Sequence, residues 1–142
     1  MIEKFSNIFD GLQAAYGTYK INGRDVKGKA TGKATVVKES RTTELWEAHL
    51  AGKQSIGIIP INEDNQCKWG CIDVDEYNFN HQELIERLQK AKLPLVVCRS
   101  KSGGAHVFLF TTEFIPAKDM QETLKRLAVS LGYGACEIFP KQ

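Results

Sequence analysis

Two aspartates, one residue apart, follow an apolar stretch in the segment WGCIDVDEY at residues 69–77. Apolar runs of this kind usually form buried strands. Because side chains alternate along a strand, we expect Asp73 and Asp75 to point to the same face. Two carboxylates this close repel one another, whereas Mg²⁺ or Mn²⁺ binds readily to a few carboxylates together with substrate phosphates. The structural alternative is that Asp75 begins a loop and Asp73 caps a neighbouring group.

The segment RSKSGGAH, residues 99–106, joins two apolar runs and concentrates hydrogen-bond donors in one turn. Hydroxyl, ammonium and backbone N–H donors together are typical of a phosphate-binding turn. His106 begins the return strand, where its imidazole could reach the same phosphates or a ribose. The alternative is an ordinary hairpin turn in which glycine provides the geometry. The donors belong to Ser100, Lys101, Ser102, Gly103 and Gly104.

A third carboxylate, Glu137, lies in the last apolar run, ACEIF. If this run forms a strand beside the one that carries Asp73 and Asp75, three acidic groups converge. Such a cluster would suit two-metal phosphoryl transfer, in which the ions activate a hydroxyl and stabilise the leaving pyrophosphate. The alternative is a surface acid on an edge strand.

Composition indicates one compact domain and gives little direct information about partners. The chain has 142 residues, of which 42% are hydrophobic and 25% charged, as in ordinary globular proteins. The net charge is only +2, but residues 17–41 hold seven basic and two acidic residues, a local excess of five. This basic segment could face a polyanion or be a solvated loop. Its basic residues are Lys20, Arg24, Lys27, Lys29, Lys33, Lys38 and Arg41.

The four cysteines and the lack of long apolar runs favour a cytoplasmic protein with free thiols. No run approaches the length of a membrane span, so we expect no membrane association. Cys67 and Cys71 have the spacing of half a zinc site, but the other half is missing. We therefore expect most of the cysteines to pack as small hydrophobic residues.

Hydrophobic periodicity predicts an α+β fold, with an RRM-like antiparallel or mixed sheet, helices packed on one face and an α-rich N-terminal segment. Residues 17–40 could be a β-ribbon or a mobile basic loop. The predicted helices are residues 4–16, 43–51, 81–92 (capped by Asn80) and a helix from Pro116 to Gly132. The predicted strands are residues 55–61, 68–75, 93–100, 105–112 and 135–139, with a turn at 62–66 and a hairpin between the first two strands.

The order and spacing of these motifs resembles the primase-polymerases of the archaeo-eukaryotic primase superfamily. The branch most similar to this chain is found in phages, plasmids and mobile-element (TOTE-like) conflict systems. The family carries an Asp-x-Asp strand, a Ser-rich turn that ends in His, and a third acid on a later strand. The resemblance covers roughly residues 43–142 and rests on GIIPINEDNQCKWGCIDVDEY, LPLVVCRSKSGGAHVFLF and EIFPKQ.

The resemblance implies a DNA primase or DNA-directed polymerase module that transfers an NTP or dNTP to a primer or initiating nucleotide on single-stranded DNA. It implies that Asp73, Asp75 and Glu137 are catalytic and hold two Mg²⁺ or Mn²⁺ ions, although relatives often have Asp at the third position. It places Ser100, Ser102 and His106 on the nucleotide, and the adjacent Lys101, Gly103 and Gly104 are expected to assist. The basic segment lies outside the resemblance, and its charge alone suggests that it could hold template backbone; Lys141, in the FPKQ run, could contact phosphate or template. The candidate template-binding residues are Lys20, Arg24, Lys27, Lys29, Lys33 and Lys141.

Residues 1–142 are expected to form a single catalytic domain, with a basic N-terminal segment at 1–42 and the RRM-like core at 43–142. Relatives usually continue past FPKQ with a Gly-Asn segment and a further strand, so we expect a C-terminal truncation. Relatives often carry a helicase or accessory domain, which is an expected partner outside this chain. One alternative is a non-catalytic module that stacks single-stranded bases on Trp69 and Phe108. A metal-dependent nuclease is the other.

Overall fold

A computed structural model describes residues 1–141 of the chain. Within these residues, four helices and six strands form two antiparallel sheets. The fold is therefore α+β, as the sequence predicts. The helices are α1 (Ile2–Ile8), α2 (Thr43–Leu50), α3 (His81–Lys90) and α4 (Ala117–Leu131). The strands are β1 (Tyr16–Arg24), β2 (Ala30–Val37), β3 (Gln66–Val74), β4 (Leu95–Arg99), β5 (Ala105–Pro116) and β6 (Glu137–Phe139).

The main sheet has four strands in the order β4-β5-β3-β6, and every neighbouring pair is antiparallel. Along the chain its elements follow the order β3-α3-β4-β5-α4-β6, which is the split βαβ arrangement. The strand β3 pairs on both sides and therefore lies inside the sheet. The side chains of β3 therefore have neighbours on β5 on one side and on β6 on the other.

One face of this sheet packs against α3 and α4 and forms the hydrophobic core. Ile72 and Val74 on β3 are fully buried there. A Cβ atom at Gly70 would lie 2.5 Å from Leu124 on α4, so this glycine lets the helix approach the strand closely. The helix boundaries follow the sequence signals: the Asn80 side chain accepts a hydrogen bond from the Glu83 backbone N–H at the start of α3.

The N-terminal residues cover much of the opposite face of the sheet. The ring of Phe9 lies edge-on to three aromatic rings at centroid distances of 5.3–5.4 Å. The indole N–H of Trp69 also donates to the Asp10 carbonyl at 2.9 Å. The N-terminal segment is thus part of the folded unit. The rings that surround Phe9 are those of Trp69, Phe108 and Phe110.

The predicted helix at 4–16 is wrong beyond Ile8, where α1 ends. Apolar residues continue at helical spacing, but they are buried by tertiary contacts of extended chain. The Leu12 backbone N–H donates to the Ile59 carbonyl at 2.8 Å. Tyr16 is the first residue of β1 and is buried. Periodicity alone does not distinguish these two ways of burying an apolar face.

The predicted strand at 55–61, and with it the predicted hairpin to β3, is also wrong. Only Gly57 in this segment forms a β-bridge, and its partner is Gly17. Pro60 has no N–H to donate to a strand ladder. The segment runs against the N-terminal residues and does not pair with β3.

The basic segment is a β-ribbon, which decides between the two interpretations of residues 17–40. Strands β1 and β2 pair from Tyr16 opposite Val37 to Arg24 opposite Ala30. Two reciprocal 2.7 Å hydrogen bonds between Gly17 and Gly57 tie the base of this ribbon to the core. None of the helices within residues 1–141 has the length and apolar character to cross a membrane.

Removal of a buried contact between α4 and the sheet should cost far more stability than removal of an exposed one on the same helix. Leu124 is 0% exposed and Val129 is 69% exposed. We expect Leu124→Ala to lower the free energy of unfolding by about 2–5 kcal/mol. We expect Val129→Ala to change it by about 0.5 kcal/mol or less. Urea denaturation measures both variants, and equal losses would contradict the packing of α4 described above.

Candidate active site

Asp73 lies in the middle of a cross-strand row of three polar side chains. On β3 it is directly opposite His106 of β5 on one side and Glu137 of β6 on the other. Directly opposite residues in an antiparallel pair project to the same face. The His106 Nε2 atom is 3.4 Å from Asp73 Oδ1. The sheet therefore brings the expected acid, the expected histidine and the third acid together on the face opposite the core helices.

Asp75 follows the last residue of β3 and is hydrogen-bonded to the Ser-rich turn. The Ser102 hydroxyl donates to Asp75 Oδ1 at 3.3 Å. The Ser100 and Ser102 hydroxyl oxygens are 3.2 Å apart. Asp73 and Asp75 line the same cleft, as their spacing predicts. The acidic motif and the Ser-rich turn are thus adjacent parts of one site.

Glycine allows the Ser-rich turn to lie against the end of β3. A Cβ atom at Gly104 would overlap the carbonyl oxygen of Val74. Gly103 has a φ of +94°, which favours glycine. The Gly104 carbonyl accepts from the Ser100 backbone N–H at 3.0 Å, and His81 Nε2 lies 2.8 Å from the same oxygen. These contacts fix where the hydroxyls lie relative to Asp75.

Glu137 makes an ion pair at the edge of the row. Its Oε1 atom accepts a hydrogen bond from Lys141 Nζ at 2.8 Å, and both side chains are more than half exposed. The same ammonium lies 5.1 Å from the centroid of the Phe139 ring. The structure thus places Lys141 on the third acid. Among residues 1–141, no three His, Cys, Asp or Glu side chains are grouped closely enough to hold a metal ion.

Asp73, Asp75 and the Ser-rich turn form one wall of a cleft of about 760 Å³, and the β1–β2 ribbon forms the other. Glu137 is not among the residues that line it. Lys101 contributes to the cleft, and its Nζ atom lies over the Tyr19 ring of the ribbon at 5.7 Å from the centroid. The core contributes Asp73, Asp75, Tyr77, Ser100, Lys101, Ser102 and His106. The ribbon contributes Ile21, Arg24, Gly28, Lys29 and Ala30.

The basic residues of the N-terminal segment do not form a single surface. Arg24 and Lys29 line the cleft. Lys20 and Lys33 are directly opposite each other on the ribbon. Because side chains alternate along a strand and the neighbouring Ile21 lines the cleft, Lys20 points away from the cleft. Arg41 is buried: its guanidinium pairs with the Asp10 carboxylate at 2.9 Å and so is not part of a basic surface.

The aromatic residues on the face of the acids are mostly covered, which argues against base stacking across an open sheet. Trp69 is 9% exposed, and Phe9 packs against it and against Phe108. An apolar pocket of about 360 Å³ remains beside the cleft, bounded by Ile58 and Pro60. It shares two lining residues, Asp73 and His106, with the cleft.

Cys67 and Cys71 are buried and behave as small hydrophobic residues, as expected. Cys67 packs in the core, while Cys71 lines the apolar pocket on the other face, so they do not form half a zinc site. Burial raises the pKa of Cys67 to about 11. Burial, together with the nearby charge of Asp73, raises the pKa of Cys71 to about 12. Both thiols are therefore neutral near pH 7.

A comparison with protein families identifies this arrangement. The family model of the archaeo-eukaryotic primase domain of TOTE conflict systems matches residues 2–137. The chain belongs to this family. Membership places the archaeo-eukaryotic primase domain described here in a superfamily of nucleotidyltransferases that are generally metal-dependent. No curated protein matches the chain.

The family match includes the ribbon, which lies outside residues 43–142, where the motifs of this archaeo-eukaryotic primase domain show the resemblance. The match begins at residue 2, well before the first recognisable acidic motif. The sequence also gave no indication that Tyr19 contacts Lys101 or that His81 contacts the Ser-rich turn. The sequence marks His81 only as the first residue of α3, directly after the helix cap Asn80.

Removal of the Lys141 ammonium should make Glu137 more available to a cation. An exposed ion pair is typically worth about 0.2–1 kcal/mol, so we expect Lys141→Met to tighten Mn²⁺ binding by roughly 1.5- to fivefold. Electron paramagnetic resonance of free Mn²⁺ measures the affinity. Lys118→Met is the matched control, because Lys118 pairs with Glu122 at 3.9 Å on α4. Equal Mn²⁺ affinities in the two variants would contradict competition at Glu137.

Proposed function

We propose that this domain is the catalytic module of a DNA primase-polymerase. It joins the 3′-hydroxyl of a primer or initiating nucleotide to the α-phosphate of an NTP or dNTP on a single-stranded DNA template. The observation that carries the proposal is the cross-strand row of His106, Asp73 and Glu137 beside the Ser-rich turn. The N-terminal segment and the core would act as a single catalytic domain, since both line the cleft.

The carboxylates suit a pair of hard divalent cations. Asp73 and Asp75 line one cleft, and Glu137 lies directly opposite Asp73, so the donor set consists of the oxygens that Mg²⁺ and Mn²⁺ prefer. In this proposal these three residues hold the ions. Glu137 would give up its ion pair with Lys141 in order to bind a cation. Such ions lower the pKa of the attacking hydroxyl and offset charge on the leaving pyrophosphate.

The Ser-rich turn would bind and orient the triphosphate. Ser100 and Ser102 present hydroxyls in a tight turn, which the Gly103 N–H closes by donating to the Ser100 carbonyl at 3.1 Å. His106 Nε2 lies 3.4 Å from Asp73 Oδ1, and in this proposal it leaves that carboxylate to donate to a phosphate oxygen of the nucleotide. Lys101 would add positive charge at the mouth of the turn.

The template would lie along the basic side of the domain. Lys20 and Lys33 face away from the cleft as a like-charged cross-strand pair, an arrangement that a bound polyanion stabilises. Lys27 at the ribbon tip extends this positive surface. A helicase or accessory domain would act on the same template from outside this chain.

The acid at the centre of the row provides the decisive test. We expect Asp73→Asn to lower the rate of primer extension by at least about a hundredfold, because loss of one metal ligand removes several kcal/mol of transition-state stabilisation. Extension of a labelled primer on single-stranded DNA with Mn²⁺ and dNTPs measures the rate. The control is Asp64→Asn, which removes an exposed carboxylate in the turn before β3 and should leave extension unchanged.

Undiminished extension by Asp73→Asn would refute the proposed site. Degradation of the DNA by the wild type without added nucleotide would instead favour a nuclease. Binding to single-stranded DNA that ignores both Mn²⁺ and the Asp73 substitution, with no extension, would favour a non-catalytic binding module.

A further inference from the structure

The tip of the ribbon brings positive charge to the cleft wall opposite the acids. Arg24 and Lys29 line the same cleft as Asp73 and Asp75. Within residues 1–141 neither basic side chain forms an ion pair. The ribbon thus places two cations across the cleft from Asp73 and Asp75, which share the core wall with Lys101.

The tip holds its shape through hydrogen bonds of its own. The Asp25 carboxylate accepts from the backbone N–H groups of Lys27 and Lys29, both at 2.9 Å. Arg24 donates from Nη1 to the Gly28 carbonyl at 2.8 Å. Asp25, the acid nearest to Lys29 in the sequence, is thus engaged with the backbone, and within residues 1–141 the Lys29 ammonium forms no ion pair.

The base of the ribbon is joined to the core and to the Ser-rich turn. The Ser55 hydroxyl bridges the backbone of Tyr19, accepting from its N–H at 2.7 Å and donating to its carbonyl at 2.8 Å. The Lys101 ammonium lies over the Tyr19 ring, 5.7 Å from its centroid. These contacts hold β1 of the ribbon close to the core and to the Ser-rich turn.

We propose that Arg24 and Lys29 bind the phosphate groups of the nucleotide, so that the ribbon is the second wall of the nucleotide site. The inference rests on the proposed nucleotidyl transfer. A triphosphate in the cleft would contact the Ser-rich turn on one wall and these two cations on the other. The register shift between Ile21 and Gly23 returns Arg24 to the cleft face that Ile21 lines, and Lys29 lines the cleft just before β2 begins. Both cations therefore lie apart from Lys20 and Lys33, which face outward and suit the template.

Titration calorimetry with ATP, dATP and inorganic triphosphate, each as its Mn²⁺ complex, tests the inference. We expect Arg24→Ala with Lys29→Ala to weaken the binding of all three by about tenfold, the combined effect of two exposed charge contacts. Lys29→Ala alone keeps the Arg24–Gly28 hydrogen bond and should weaken binding by about threefold. Lys118→Ala with Lys125→Ala removes the same charge from α4 and should bind nucleotide as the wild type does.

Three outcomes separate this inference from the function on which it rests. Wild-type affinity for all three ligands in both tip variants, with nucleotide binding lost in Asp73→Asn, would overturn the role of the ribbon and leave the proposed function standing. Weaker binding of single-stranded DNA alone would overturn it as well and would assign Arg24 and Lys29 to the template. Absence of any nucleotide binding by the wild type would overturn both. The Lys20→Ala, Lys33→Ala variant should lose DNA affinity and keep nucleotide affinity.

Discussion

The register of β3 between its two neighbours is the constraint on which the site depends. It places Asp73 directly opposite His106 and Glu137. A shift of one residue would turn every side chain of the strand to the other face and would bury the acid among the helices. Complete burial of Ile72 and Val74 on the core face opposes such a shift. The hydrophobic core thus determines the position of the polar groups, although it does not touch them.

The sheet face that carries Asp73 has one part covered by aromatic packing and another part that lines the cleft. Phe9 covers its aromatic half, where Trp69 and Phe108 would otherwise be free to stack on bases. Asp73 and His106 remain at the uncovered end, bordered by an apolar pocket and by the cleft. An N-terminal segment that looks peripheral in the sequence therefore directs the sheet away from base stacking and towards a polar cleft.

Local signals in the sequence predicted the elements better than their partners. The alternation that ends at Asp75, the cap at Asn80 and the stop at Gly132 correspond to a strand and two helix boundaries in the structure. The apolar spacing beyond Ile8 misled, because the residues there are buried by extended chain. The pairing of β6 with β3 joins residues more than sixty positions apart, and no local pattern encodes it. From the residues alone, the convergence of Glu137 with the other acids was conditional on this pairing, whereas the resemblance implied it.

The cleft holds two aspartates on the core wall, where Lys101 lies with them, and two further cations on the ribbon. Asp73 and Asp75 lie on one wall, while Arg24 and Lys29 lie on the other without forming an ion pair within residues 1–141. Unpaired opposite charges attract across such a gap, so the walls must be held apart by structure. The sheet fixes one wall, and the hydrogen bonds at Gly17 fix the base of the other. A ligand that carries phosphates together with divalent cations complements both walls at once, whereas a simple anion or cation would complement only one of them.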